Sequence, residues 1–347
     1  PGKSMRLRIA ALALSVLVLT GCAAAPAEQA APKQYQATFL TLFDTVTTIL
    51  GYAESEEAFQ AQAQEIHDEL LEYHQLFDIY NDYPGVNNLK TVNDQAGIAP
   101  VQVDGRIIRL LQDCQEYYAL SGGTVNVAMG SVLKLWHDAR THGISFPAAA
   151  ALPDVDALTQ AAAHSAMDSI VIDEAASTVY LSDPLSRLDV GAVAKGWSVE
   201  QVCKNAPEGL LVSVGGNVRA TGPKPTGNPW VVGLQSPDGD ADDYLHTLNL
   251  ETGSVVTSGD YQRYYVVDGK PYHHIIDPET LYPADRWRAV SVVCPDSGLA
   301  DCLSTALFIL PQEAGQVLLD QTGAEAMWLL ADGTRLYSPG FEALIRT

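Results

Sequence analysis

The stretch Thr257-Ser258-Gly259-Asp260-Tyr261-Gln262-Arg263-Tyr264-Tyr265-Val266-Val267-Asp268-Gly269-Lys270-Pro271-Tyr272-His273-His274-Ile275-Ile276-Asp277-Pro278 decides how the chain is read. Tyr264 to Val267 are aromatic and β-branched, and Asp268-Gly269 suits a tight hairpin turn, whose central residues need positive φ. The pattern predicts an antiparallel hairpin with His274-Ile275-Ile276 as its second strand. Gly259 and Pro278 punctuate the two ends. Outward from this hairpin, strands dominate residues 230–293 while helices gather elsewhere. Clusters of strands and helices without regular alternation predict an α+β fold and argue against a doubly wound parallel sheet.

The same reading covers the remainder. Residues 38–52, with Thr45-Val46-Thr47-Thr48-Ile49, alternate as a strand. Residues 56–77 carry Phe59, Ile66, Leu70, Tyr73 and Phe77 near helical spacing, and 78–93 hold the turn pairs Pro84-Gly85 and Asn87-Asn88. Further helices are predicted over 106–121, from 131 onward with Leu133 and Trp136, and over 154–163, 196–205, 299–310 and 312–321. Strands are predicted at 170–172, 178–181, 211–214 and 218–221, with a final strand pair closing the chain.

A formal net charge of −22 argues against nucleic-acid binding, whose affinity comes from Lys and Arg on phosphates. An anionic ligand must then be held locally, by a metal ion or by backbone N–H groups. Pro1-Gly2-Lys3-Ser4 precede Met5 and read as a cloning remnant or misplaced start. Arg6 and Arg8 then introduce an apolar run over 9–19, too short for a comfortable membrane span. Leu19-Thr20-Gly21-Cys22 resembles a bacterial lipobox, so 1–22 read as a leader, 23–36 as a flexible tether and 37–347 as the folded domain. The expected location is the extracytoplasmic face of a bacterial membrane, anchored by lipid on Cys22. Cys114, Cys203, Cys294 and Cys302 fit neither a paired redox motif nor a zinc site; buried free thiols are the default for Cys114 and Cys302.

Three stretches carry chemistry. The hairpin region gathers a hydroxyl, carboxylates and an imidazole, although a satisfied histidine and a turn-capping aspartate would look the same by residue type. In Leu188-Asp189-Val190-Gly191-Ala192-Val193-Ala194-Lys195-Gly196-Trp197 an apolar strand ends, turns and becomes a helix. Such a junction aims N–H groups and a positive helix end at an anion, and Lys195 adds charge; many such junctions serve the fold alone. In Gly298-Leu299-Ala300-Asp301-Cys302-Leu303-Ser304-Thr305-Ala306-Leu307 the leucines form one face and leave Asp301, Ser304 and Thr305 on another. A carboxylate and a hydroxyl one turn apart suit magnesium, and equally suit a polar stripe with Thr305 bonded to the preceding turn.

T-S-G-D-Y followed by H-I-I-D-P resembles the signature of the ApbE family, flavin transferases that move FMN from FAD onto a protein hydroxyl. The second stretch is similar to the family's D-x-G-[GA]-x-[AG]-K-G and the third to its A-D-x-L-[SA]-T-A-L helix. The likeness runs over residues 39–347. It implies a T-fold-related α+β architecture with a nucleotide site between two lobes, FAD as substrate and Mg²⁺ as cofactor. It implies that Asp189 and Lys195 contact the flavin nucleotide, and that the Ala192 carbonyl, Asp301 and Thr305 bind the metal. Weaker matches add Phe43 of Phe43-Asp44-Thr45, Tyr80 of Asp78-Ile79-Tyr80 (S-T-Y in the family), and Thr124-Val125-Asn126 (commonly A-F-D). His274 and Ile275 complete the expected flavin contacts. Val212-Ser213-Val214-Gly215-Gly216-Asn217 resembles the N-x-G-G-N turn, with Ser213 for the usual Asn.

The resemblance makes His274 the expected base for an incoming hydroxyl, Asp277 its orienting partner, and Asp260 a ligand for further magnesium or the hydroxyl. His273 is expected to face the other side of its strand. The family's acceptor context, D-G-[AS]-T-[AS]-T, does not occur in this chain. The implied partner is therefore a separate FMN acceptor, a redox-pump subunit or similar extracytoplasmic protein. Two other readings use the same residues: a metal-dependent FAD pyrophosphatase releasing FMN and AMP, and a flavin-binding lipoprotein without chemistry.

Overall fold

The structure is a computed structural model that describes residues 31–240 and 243–347; the leader and Cys22 lie outside the described residues. Strand β1 (Lys33–Phe39) pairs antiparallel with β2 (Thr47–Ala53), so the expected single strand is two, broken by a 3₁₀ turn at Leu42–Asp44. β1 begins inside the stretch expected to be tether. Helix α1 (Glu56–Phe77) starts where Ser55 accepts the Ala58 N–H, with Glu56 and Glu57 at its positive end. The turn-rich segment also contains a short helix, α2 (Leu89–Asp94), closed by a reciprocal cap between Asn88 and Thr91.

The chain continues through β3 (Val101–Gln102), α3 (Gly105–Leu120), α4 (Gly130–Ser145), α5 (Val155–Ala162), β4 (Ile170–Asp173) and β5 (Thr178–Leu181). Next come α6 (Ala194–Lys204), β6 (Leu210–Val214), β7 (Asn217–Ala220), β8 (Trp230–Gln235), β9 (Tyr244–Leu250) and β10 (Gly253–Gly259). The last elements are β11 (Tyr264–Val267), β12 (Lys270–His273), β13 (Ala289–Cys294), α7 (Ser297–Ile309), α8 (Gln312–Thr322), β14 (Glu325–Leu329) and β15 (Arg335–Tyr337). The fold is α+β, as predicted.

One antiparallel sheet organises the molecule, in the order β1-β2-β6-β7-β10-β13-β14-β15. Alternate residues send their side chains to opposite faces. Val212, Val214 and Val256 join the main core with α1, α6 and α7, whereas Leu211 and Val255 pack with Trp230, Val232 and Leu248 of β8 and β9. Helices thus cover one face and the β8–β9 ribbon the other. A third apolar cluster joins Trp136 of α4 to Tyr265, Val267 and Ile276. The four cysteines of the described residues are buried and free.

The β11–β12 hairpin corrects one expectation. Asp268 and Gly269 have φ of 49° and 80° and form the predicted two-residue turn. Such a turn fixes register, so Lys270 must pair with Val267 and the second strand is Lys270–His273. His274 falls just beyond the strand, where the chain leaves the ladder.

Helices α6 and α7 touch at Gly196. A Cβ there would lie 2.5 Å from Asp301 Cβ and closer still to the Ser297 carbonyl oxygen. The Gly196 N–H donates to Asp301 Oδ2 at 2.8 Å, and Ser297 Oγ donates back to the Gly196 carbonyl. Gly196→Ala is expected to destabilise the protein by about 1–3 kcal/mol through overpacking. Denaturant unfolding checks this, with Gly315→Ala on the looser face of α8 as the comparison, since its nearest contact is a side-chain atom at 3.2 Å.

Candidate active site

A cleft of about 780 Å³ opens between the sheet with α6 and α7 on one side and, on the other, α4 with the segments 261–263 and 274–276 that flank the β11–β12 hairpin. It collects the residues singled out from distant parts of the sequence: Phe43, Tyr80, Thr124, Val125, Asn126, Asp189, Ala192, Lys195, His274, Ile275, Asp301 and Thr305 all line it. The strand expected to end at Asp189 does not form: β5 ends at Leu181 and α6 begins at Ala194. Asp189 lies in the loop between them, where its Oδ1 accepts the Gly191 N–H at 2.9 Å and its own N–H donates to the Val127 carbonyl. Burial pushes its carboxyl up from the ordinary range, against the pull of that N–H and of His137, Arg140 and Arg263. Asn126 spends its amide on the fold, donating to Ser165 O and accepting the Ala128 N–H, both at 2.8 Å.

The polar stripe predicted on α7 divides. Ser304 is buried, bonded to Ser258 Oγ at 2.7 Å and to the Asp301 carbonyl, which fixes the helix to β10. Asp301 and Thr305 line the cleft. Asp301 is buried, and loss of water raises its carboxyl to about 7 even though Lys195 and the Gly196 N–H favour the ionised form. Among the described residues no group of three or more His, Cys, Asp or Glu is placed to hold a metal ion. The available donors are instead a carboxylate, a hydroxyl and the Ala192 carbonyl, hard oxygens of the kind magnesium accepts with water or phosphate filling the remainder. A buried carboxylate whose charge is under-compensated fits such a cation.

His274 carries the clearest electrostatic signature. Burial, then Arg263, His273, Lys195 and Arg140, push its imidazole down to about 3. It is neutral at physiological pH, and its buried Nδ1 has no hydrogen-bond partner. His273 points away as expected, its Nε2 bonded to Ala284 O and its ring against Phe308.

Two expected site residues lie elsewhere. Asp277 does not orient His274; its Oδ1 accepts the Glu279 N–H at 2.9 Å, and it lines a neighbouring cavity of about 370 Å³. It is the turn-capping aspartate that the sequence equally allowed, because the chain turns at Pro278 and the carboxylate is needed there. Asp260 is not among the lining residues either: its carboxylate lies 3.6 Å from Arg288, which also binds Asp238. Conversely, Asp44, His74, His137, Arg140 and Arg263 line the cleft and were not singled out. Arg263 stands two places beyond Tyr261 in the opening stretch, and in so acidic a chain a cation beside a motif was a usable signal. His137 and Arg140 sit on α4, which was read only for its apolar Leu133 and Trp136.

Comparison with known proteins bears on the family and the fold. The model of the ApbE family matches residues 43–328. An FAD:protein FMN transferase of Klebsiella pneumoniae (strain 342) is 35% identical over 266 residues, covering 74% of this chain and 80% of that protein. One of Treponema pallidum (strain Nichols) is 35% identical over 278 residues, covering 74% and 75%. The crystal structure of the ApbE protein of Thermotoga maritima superposes with a TM-score of 0.79 at 28% identity, covering 91% of this chain and all of that one, 100%. Apo flavinyl transferase ApbE of Pseudomonas stutzeri gives 0.74 at 24% identity, covering 90% and 97%.

The depressed His274 titration has a measurable sign. The folded chain resists a proton that an unfolded histidine takes up near 6.5, so this group's contribution is present above pH 6.5 and is lost as the pH falls toward 3. Acidification from about pH 7 to 4.5 is therefore expected to destabilise His274→Gln less than wild type in denaturant unfolding. In histidine NMR the ligand-free His274 ring is expected to show no titration step in that interval.

Proposed function

The chain belongs to the ApbE family, and from that premise we propose that it is an FAD:protein FMN transferase acting on a Thr or Ser hydroxyl of a separate acceptor protein. The observation that carries this reading is electrostatic. In a chain of net charge −22, Lys195, Arg140 and Arg263 line one cleft, and none forms an ion pair with a carboxylate among the described residues. Cations held without carboxylate partners, in an excess of acid, are provision for an anion such as the FAD pyrophosphate.

In the reaction, the acceptor hydroxyl oxygen bonds to the FMN phosphorus while the bond from that phosphorus to the bridging oxygen of AMP breaks. The hydroxyl proton passes to His274, which is neutral and so able to accept it. Burial is the main cause of the ring's lowered basicity. The incoming hydroxyl would give the buried imidazole a hydrogen-bond partner, and the bound pyrophosphate would offset the smaller share that comes from Arg263, Lys195 and Arg140. Lys195, Arg140 and Arg263 balance charge on the phosphoryl oxygens and leaving AMP. Mg²⁺, held by Asp301, Thr305 and the Ala192 carbonyl, would neutralise further charge on the transferred phosphoryl group. Burial lowers the Lys195 ammonium from its usual range, a cost that an anionic ligand relieves.

The acceptor is proposed to be an extracytoplasmic flavin-carrying redox protein, with the enzyme tethered to the membrane by lipid on Cys22. The support for this is the basic, apolar and Gly-Cys succession of residues 5–22. Among the described residues no helix is long and apolar enough to cross a membrane.

Protein without residues 1–22 would be mixed with FAD, Mg²⁺ and an acceptor domain bearing the Thr motif, and the acceptor weighed. A gain of FMN less water is expected. Asp301→Ala is expected to lower the rate by roughly 100-fold or more, since even outer-shell partners of metal sites are worth about 10–100-fold. FMN and AMP accumulating beside an unmodified acceptor would make the protein a pyrophosphatase, and intact FAD would leave it a binder.

A further inference from the structure

A string of hydrogen bonds crosses the wall of the cleft. The Phe43 N–H donates to His74 Nδ1 at 2.8 Å. His74 Nε2 lies 3.4 Å from the Tyr83 hydroxyl oxygen, and the Tyr83 O–H donates to Asp78 Oδ2 at 2.7 Å. Asp78 Oδ1 accepts the Tyr80 N–H at 2.7 Å. These contacts assign the protons. A backbone N–H can only donate, so Nδ1 of His74 is unprotonated. Tyr83 gives its proton to the carboxylate, so its oxygen accepts from Nε2–H.

The segment at one end of the string is held in an unfavourable shape. Phe43 and Asp44, neither of them glycine, have consecutive φ of 52° and 55°, a conformation that persists in L-residues only where surroundings impose it. Both line the cleft, as do His74, Asp78 and Tyr80. The Phe43 ring also meets the His74 ring edge-on at 5.5 Å. Without the acceptor at His74 the Phe43 N–H loses its partner and the turn loses a long-range restraint, across 31 residues of sequence.

We infer that His74 is a positioning residue: as a neutral imidazole it ties the Phe43–Asp44 turn to the Asp78–Tyr80 segment, so that two walls of the cleft are set as one unit before the nucleotide enters. The nucleotide is FAD on the reading proposed above. Preorganisation of this kind raises affinity by removing the ordering cost from the binding step.

The test separates the acceptor atom from the ring. His74→Phe keeps an aromatic ring and removes the acceptor; His74→Asn places a carbonyl oxygen where Nδ1 stood. Hydrogen exchange of the Phe43 amide is measured in the ligand-free protein, FAD affinity by titration, and thermal stability alongside. The Phe43 amide is expected to be protected in wild type and His74→Asn and to exchange freely in His74→Phe. FAD should bind His74→Phe about tenfold more weakly, with KM rising more than kcat falls, the scale of one lost hydrogen bond. Retained protection and affinity in His74→Phe would overturn the inference. So would equal losses in both variants with matching drops in Tm, which would mean the residue serves the fold alone. A wild type that binds no FAD while the exchange order holds would instead remove the functional reading and leave the turn's restraint established.

Discussion

The close crossing of α6 and α7 at Gly196 is the constraint on which the site depends. Only a residue without a side chain lets the Asp301 carboxylate reach a backbone N–H on the neighbouring helix. The seam is then secured from below. Glu200 of α6, almost wholly buried, accepts the Ser297 N–H at 2.8 Å and pairs with Arg219 of β7 at 2.9 Å. A buried ion pair is weak evidence of stability, because desolvation offsets much of its attraction. Its value here is geometric: it fixes both helices to the sheet, so that Lys195 and Asp301 arrive at the cleft from different helices in a set relation.

Burial governs the chemistry of the cleft more than proximity does. Asp301 and Asp189 are raised, and Lys195 and His274 lowered, with loss of water the largest cause in each case. Each shift runs toward the uncharged form, the form that burial favours. On the proposed reading, a cation beside Asp301 and a pyrophosphate beside Lys195 would relieve complementary penalties.

Much of this was legible in the sequence, for reasons that differ by element. α1 was readable because its apolar stripe, from Phe59 to Phe77, is a local fact. The Asp268-Gly269 turn was readable because its φ angles demand those residues. The start of β12 was missed although the same turn dictated it, since the sequence pattern weighed Ile275-Ile276 above register. Asp277 shows a different failure: a motif brings residues together in sequence, but the turn at Pro278 sends the carboxylate to its own backbone. His74 and Arg140 become meaningful only when α1 and α4 meet around one space, which no local pattern encodes.

The strand order of the main sheet has a consequence for how the chain comes to be. β2 finds its inner neighbour only in β6, with Thr47 opposite Val214, and β7 finds its own in β10. Such remote pairings must close long loops before they return any stabilisation, which slows folding. While β6 is still unmade, the β1–β2 ribbon presents an open edge able to pair with any other strand nearby. A chain delivered amino end first therefore carries that open edge from the completion of β2 at Ala53 until β6, Leu210–Val214, has been made.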